Sequence, residues 1–222
     1  MVTISPSSHV YRLGLWLCVI SGLMYASFLI EAVFNFPLDP ASSYLSEYFA
    51  RDSPYRLVFA TADLLSAALV LSGIICLAEV FTLWNKVQIL IAIGYSVFAI
   101  ATVFDVTLPL KCAESLSYCE QTGLTAHMVA SAIANIALCA VALLTLLMAY
   151  RGRFLQPNTS VIAGVSMLYI FFTVVVTICN FGGYPVGYPQ RIQVFFSCAI
   201  LMFAGSVLRP YGITDSRIST RT

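Results

Sequence analysis

An all-α bundle of transmembrane helices is the fold class this 222-residue sequence predicts. Three observations carry the prediction. Hydrophobic residues make up 60% of the chain and charged residues only 9%, against roughly 25% charged in soluble domains. The mean hydropathy is +0.91. Apolar runs of the length a bilayer demands, about 20 residues, recur along the chain. Helices are the expected spanning form, because backbone groups in lipid must pair within their own segment. The runs also lack the short alternating pattern of barrel strands.

Six spans follow in order, forming one integral-membrane domain over residues 1–222. The first, 12–34, is longer than a signal-peptide apolar region, and no cleavage pattern follows it. The second, 54–79, opens on Pro54, which suits a first helical turn. The remaining four are 87–108, 123–150, 159–180 and 191–208. An even number of spans places both termini on one side. That side collects Arg12, Lys86, Arg151, Arg153, Arg209, Arg217 and Arg221, seven cations against the four of the other side, Arg51, Arg56, Lys111 and Arg191. The positive-inside rule then expects both termini in the cytoplasm.

Five of the seven cysteines lie inside apolar runs, where they act as small packing residues. Cys112 and Cys119 share a polar loop on the outer side, where disulfides persist. A disulfide between them is expected to clamp that loop, with two free thiols as the alternative. The loops on this side are longer and rich in Pro, Tyr, Ser and Gly. Function concentrates on such loops when a rigid scaffold holds them. The net charge of +1 and the lack of a basic aromatic patch exclude nucleic acid as a partner.

Ionisable side chains inside spans are costly and usually face the bundle interior. Glu31, Asp63, Asp105 and His127 all fall toward the outer side, with Asp63 about nine residues into its span, or ~13 Å deep. In the fourth span His127, Ser131 and Asn135 follow an i, i+4, i+8 spacing on one face. In the fifth, Ser166, Tyr169, Thr173, Thr177 and Asn180 form a second polar ridge. A polar pocket open to the outside would gather these ridges. The plainer reading of the hydroxyl stripes is interhelical hydrogen bonding, at about 0.6 kcal/mol each.

The chain has two histidines, His9 and His127, so a three-histidine metal site is excluded within one chain. Asp63, Asp105 and His127 are the one metal-ligand set the sequence offers, and it is unspecific. No HExxH, GxSxG or P-loop pattern occurs. Ser46, beside Glu47, reads either as a nucleophile or as a helix cap. Arg56 and Arg191, at helix starts on the outer side, are expected to hold an anionic group.

The block SYLSEYFARDSPYRLVFATADLLSAALVLSG resembles an S-x-LSE-x…P…F signature that opens the second span of a bacterial membrane family. GYPQRIQVFFSCAILMFAGSVL is similar to its closing G-x-x-QRI block, and Asp105…His127 to its middle signature. The family is domain of unknown function nine hundred and ninety-eight. The resemblance covers nearly the whole chain and implies a six-span protein of the bacterial inner membrane, with no established activity. It directs attention to Ser46, Glu47, Asp63, Asp105, His127, Gln190 and Arg191. The closing helix here departs from the pattern in lacking a tryptophan.

Three functions stay open on these residues. The first is binding or processing of a lipid or small molecule at the outer leaflet, with or without catalysis. The second is proton-coupled transport, against which the inner half offers no acidic relay. The third is a non-catalytic partner protein docking through its outer loops. No cofactor is required by the sequence, and no oligomeric state can be read from it.

Overall fold

The computed structural model describes residues 9–120, 123–152 and 158–210. Every regular element among them is helical. Helix α1 (His9–Tyr25) runs on as a 3-10 helix, Ala26–Ala32, and a short 3-10 turn, Leu45–Phe49, lies in the following loop. Helix α2 (Arg56–Leu77) likewise tightens into a 3-10 segment, Ala78–Leu83. Then come α3 (Lys86–Thr107), α4 (Ala126–Tyr150), α5 (Thr159–Gly182), α6 (Gly187–Met202) and the one-turn α7 (Ala204–Val207).

Five rods, His9–Ala32, Arg56–Leu83, Lys86–Thr107, Ala126–Tyr150 and Thr159–Gly182, are long and apolar enough to cross a membrane. The sixth rod differs from the expected 191–208. It begins at Gly187, is 16 residues long, and breaks at Phe203 before α7. The physical reason lies in its opening turns. Tyr188, Pro189 and Gln190 are helical but too polar for a hydropathy window to include.

Local signals set the helix ends. Asn85 caps α3 by accepting from the amides of Val87 (2.9 Å) and Gln88 (3.1 Å), and Gln88 Oε1 accepts from the Asn85 amide at 3.1 Å. Thr125 Oγ1 caps α4 by accepting from the Met128 amide at 3.2 Å. The first rod ends in a Schellman-type turn, with the Phe36 amide donating to the Glu31 carbonyl at 2.9 Å. Asn35, at φ 56°, fills the left-handed position that asparagine tolerates.

The six rods close a ring in which each packs on its sequence neighbours and α6 returns to α1. One end of the ring carries the termini and the short connections, together with Arg12, Lys86, Arg151 and Arg209. Arg153, Arg217 and Arg221 lie outside the described residues. The opposite end carries the long loops. Toward the terminal end the ring interior is filled by Val70, Ile91, Leu138, Leu201 and Leu208.

Small residues permit the closest approaches. Ser21 and Ser66, both fully buried, exchange hydroxyl-to-carbonyl bonds of 2.9 Å between α1 and α2. A Cβ at Gly22 would run into the Cys198 carbonyl oxygen of α6. Because that obstacle is backbone, Gly22→Ala is expected to destabilise the protein by about 1–3 kcal/mol. Equilibrium unfolding in mixed detergent micelles checks this, and an unchanged midpoint would refute the contact.

Helix α5 is the exception to this packing. Its buried residues are Ile162, Ser166 and Tyr169, all in its first half. From Ile170 to Gly182 no residue is buried. That half borders an internal space at the loop-rich end.

Candidate functional site

The roof of that space is the 33–55 loop, and its folding starts from its own residues. Asp39 accepts from the Ala41 amide (3.1 Å) and the Ser42 hydroxyl (2.7 Å), forming a tight turn. The hydroxyl bond, followed by the amide bond, holds its carboxyl below the usual carboxylate range. Tyr48 stacks on Phe59 of α2 at 4.4 Å between ring centroids. The Tyr48 hydroxyl donates to Glu31 Oε2 at 3.1 Å. Burial and then the Glu31 carboxylate push this phenol up to about 12, so it stays a donor at any physiological pH.

Arg191 fastens the roof to α6. Its Nε and Nη2 donate to Glu31 Oε1 and Oε2, each at 2.7 Å, in a bidentate ion pair. Its Nη1 donates to the carbonyls of Pro40 (3.1 Å), Ser43 (3.0 Å) and Gly187 (3.1 Å). Both Arg191 and Glu31 are buried. Further bonds join the same surfaces: Leu45 N to Gln190 Oε1 at 2.8 Å, Tyr44 OH to Asn180 Oδ1 at 2.7 Å, and Gly187 N to the Ala41 carbonyl at 2.9 Å.

The 108–125 loop grips the roof from the other side. Glu47 Oε2 accepts from the Ser115 amide at 3.0 Å and from its hydroxyl, while Oε1 accepts from the Tyr44 amide at 3.0 Å. The Arg51 amide donates to the Leu110 carbonyl at 3.0 Å, and Tyr118 OH donates to Asp52 Oδ2 at 2.6 Å. Cys112 and Cys119, flanking Ser115, stand at disulfide-bonding distance with Cα atoms 5.8 Å apart.

Beneath the roof lies a cavity of about 740 Å³, lined by residues from all six rods. Asp63 from α2, Asp105 from α3 and His127 from α4 stand on its walls. His127 Nδ1 lies 2.9 Å from the Asp105 carbonyl oxygen and 3.1 Å from Asp105 Oδ1. Both neighbours are acceptors, so Nδ1 carries the proton. Ser131, one turn along α4, donates its hydroxyl to Asp105 Oδ1. His127 Nε2 is buried and has no hydrogen-bond partner among the described residues. In the neutral ring this atom holds a lone pair and can accept a proton, with Asp105 positioned to stabilise the imidazolium.

The floor is a polar belt across α4, α5 and α6. Gln193 Nε2 donates to Thr173 Oγ1 (2.9 Å) and Asn135 Oδ1 (3.2 Å), and Tyr169 OH reaches the Asn135 carbonyl at 3.3 Å. Below it, Tyr95 OH donates to the Ile200 carbonyl at 2.9 Å, and Ile91 and Leu201 are fully buried.

Of the residues singled out in the sequence, Ser46, Glu47, Asp63, Asp105, His127, Ser131, Asn135 and Asn180 line the cavity. Glu31 and Arg191 pair with each other behind the roof, so the anion that Arg191 holds is an internal carboxylate. Arg56 opens α2, and no partner for its buried Nε exists among the described residues. Thr173 and Thr177 turn their hydroxyls back to the carbonyls four residues earlier, each at 2.8 Å. The capping role open to Ser46 falls to Glu47, whose longer side chain reaches the Tyr44 amide. Among the described residues no three of His, Cys, Asp and Glu form a metal-ligand group. The set Asp63, Asp105 and His127 does not close because His127 turns Nδ1 into Asp105, whose carboxylate also takes Ser131. Sequence reasoning passed over Ser27, Gln193 and Ser197, which also line the cavity. The i, i+4 spacing of the last two, inside an apolar run, was the available signal.

No curated protein matches the chain, and no solved structure does. A family model does match, over residues 18–207. By that match, across most of its length, the chain belongs to the family described as Protein of unknown function (DUF998).

Proposed function

We propose that this protein is a six-span, single-domain protein of the bacterial inner membrane whose cavity binds an amphiphile drawn from the outer leaflet. Both termini face the cytoplasm, and the loop-rich end faces outward. The excess of Lys and Arg at the terminal end supports that orientation, as does a cysteine pair suited to an oxidising compartment.

One observation carries the binding reading. A space of about 740 Å³ joins Asp63, Asp105 and His127 to a helix half that buries none of its residues. Ligand pockets of this kind combine apolar walls with a few convergent polar groups. The exposed half of α5 offers a sideways entrance from the leaflet, and Val176, Cys179 and Asn180 of that half line the space. A headgroup entering there meets the wall that His127 shares with Asp105, and the imidazole is the group suited to take or return a proton in a processing step. The packed layer below the floor favours binding over passage across the membrane.

The test is the lipid that travels with the protein. Purified in native nanodiscs, the wild type is expected to enrich one lipid class over the bulk membrane, as read by mass spectrometry. His127→Leu and Ser131→Ala, with helical content unchanged by circular dichroism, are expected to reduce that enrichment about fivefold or more. Wild-type lipid identical to the bulk membrane would overturn the proposal.

A further inference from the structure

We infer that the headgroup taken by this cavity carries a positively charged nitrogen. The inference rests on the amphiphile-binding reading above and names its ligand class.

The charge lining is one-sided. Glu47, Asp63, Asp105 and Glu114 face the cavity, and among the described residues no lysine or arginine does. The Arg191 guanidinium is neutralised by Glu31 and turned to the roof carbonyls. Glu47 is held by amides and the Ser115 hydroxyl, and Asp105 by His127 and Ser131. Asp63 is buried, and no cation among the described residues pairs with it. Carboxylates at membrane depth normally meet a partner charge, so a cationic ligand completes what the chain leaves open.

Two further observations point to a ligand of that kind. His127 lines the cavity at 3% exposure, and its buried Nε2 has no hydrogen-bond partner among the described residues. A ligand N–H fits that lone pair as donor to acceptor, whereas a phosphate oxygen would meet it as acceptor to acceptor. The remaining wall is largely apolar and includes the rings of Tyr25, Phe28, Phe59 and Phe98. Ring faces attract ammonium groups, most strongly when water is excluded.

The experiment compares octadecylamine, octadecyl phosphate and octadecanol, each titrated onto the protein in a neutral maltoside detergent and read by native mass spectrometry. Octadecylamine is expected to bind at least tenfold more tightly than octadecyl phosphate, and Asp63→Asn to reduce that preference about tenfold. Octadecanol binding is expected to change little in Asp63→Asn, which also reports that the cavity has stayed folded. Ethanolamine competes with octadecylamine if the natural ligand is a free amine, and does not if it is membrane-borne. The preference for octadecylamine over the phosphate supports the nitrogen, and the ethanolamine competition assigns its source. Equal or tighter binding of the phosphate overturns the charge assignment while leaving the amphiphile site in place. Failure of all three long-chain probes overturns both readings together.

Discussion

Arg191→Leu is expected to cost about 3–5 kcal/mol of stability, the largest effect of any single substitution at the loop-rich end. The change leaves the buried Glu31 carboxylate without its bidentate partner and strands the carbonyls of Pro40, Ser43 and Gly187. Water cannot readily replace those donors, because both members of the pair are buried. The companion substitution separates charge from packing. Adding Glu31→Leu removes the orphaned carboxylate, so the double variant is expected to recover much of the loss. Equilibrium unfolding in mixed micelles measures both. An Arg191→Leu protein that unfolds at the wild-type midpoint would show that the clasp contributes nothing.

Glu47→Ala is expected to cost about 2–4 kcal/mol and to loosen the roof from the 108–125 loop. One carboxylate there accepts from the Tyr44 amide, the Ser115 amide and the Ser115 hydroxyl. Hydrogen bonds to a charged group contribute roughly 1.5–3 kcal/mol each, with less than full additivity. Ser115→Ala removes only the hydroxyl contact and is expected to cost about 1–2 kcal/mol by the same scale. Hydrogen exchange at the Ser115 and Tyr44 amides provides the local readout. Exchange as slow in Glu47→Ala as in the wild type would contradict this role.

The helices were legible because a bilayer imposes a length and a composition that few other environments demand. The first five rods lie within a few residues of the apolar runs that announce them. The apolar run of the sixth begins four residues inside its helix, because the opening turn is polar and Gln190 is held by tertiary contact with Leu45. Positions on one helix were also legible. The spacing of His127, Ser131 and Asn135 places them on one face, and they do line one cavity. Partnership across the chain was not. Nothing in residues 187–191 announces that a guanidinium there will meet a carboxylate 160 positions earlier. Arg191 therefore reads from sequence as a free anion binder, whereas its anion is Glu31. Glu47 is hidden in the same way, since its long-range partner Ser115 sits in another loop.

That separation has a consequence for how the chain is made. A ribosome delivers Glu31 and the 33–55 loop about 140 residues or more before Arg191, so the roof has no anchor while the intervening rods insert. Contacts between distant positions form late because closing a long chain segment carries an entropic cost. Until α6 arrives, Glu31 and the carbonyls of Pro40 and Ser43 must remain hydrated. The ring is thus assembled as an open vessel and sealed by α6, and a nascent chain stopped before Gly187 would hold the bundle without its roof anchored.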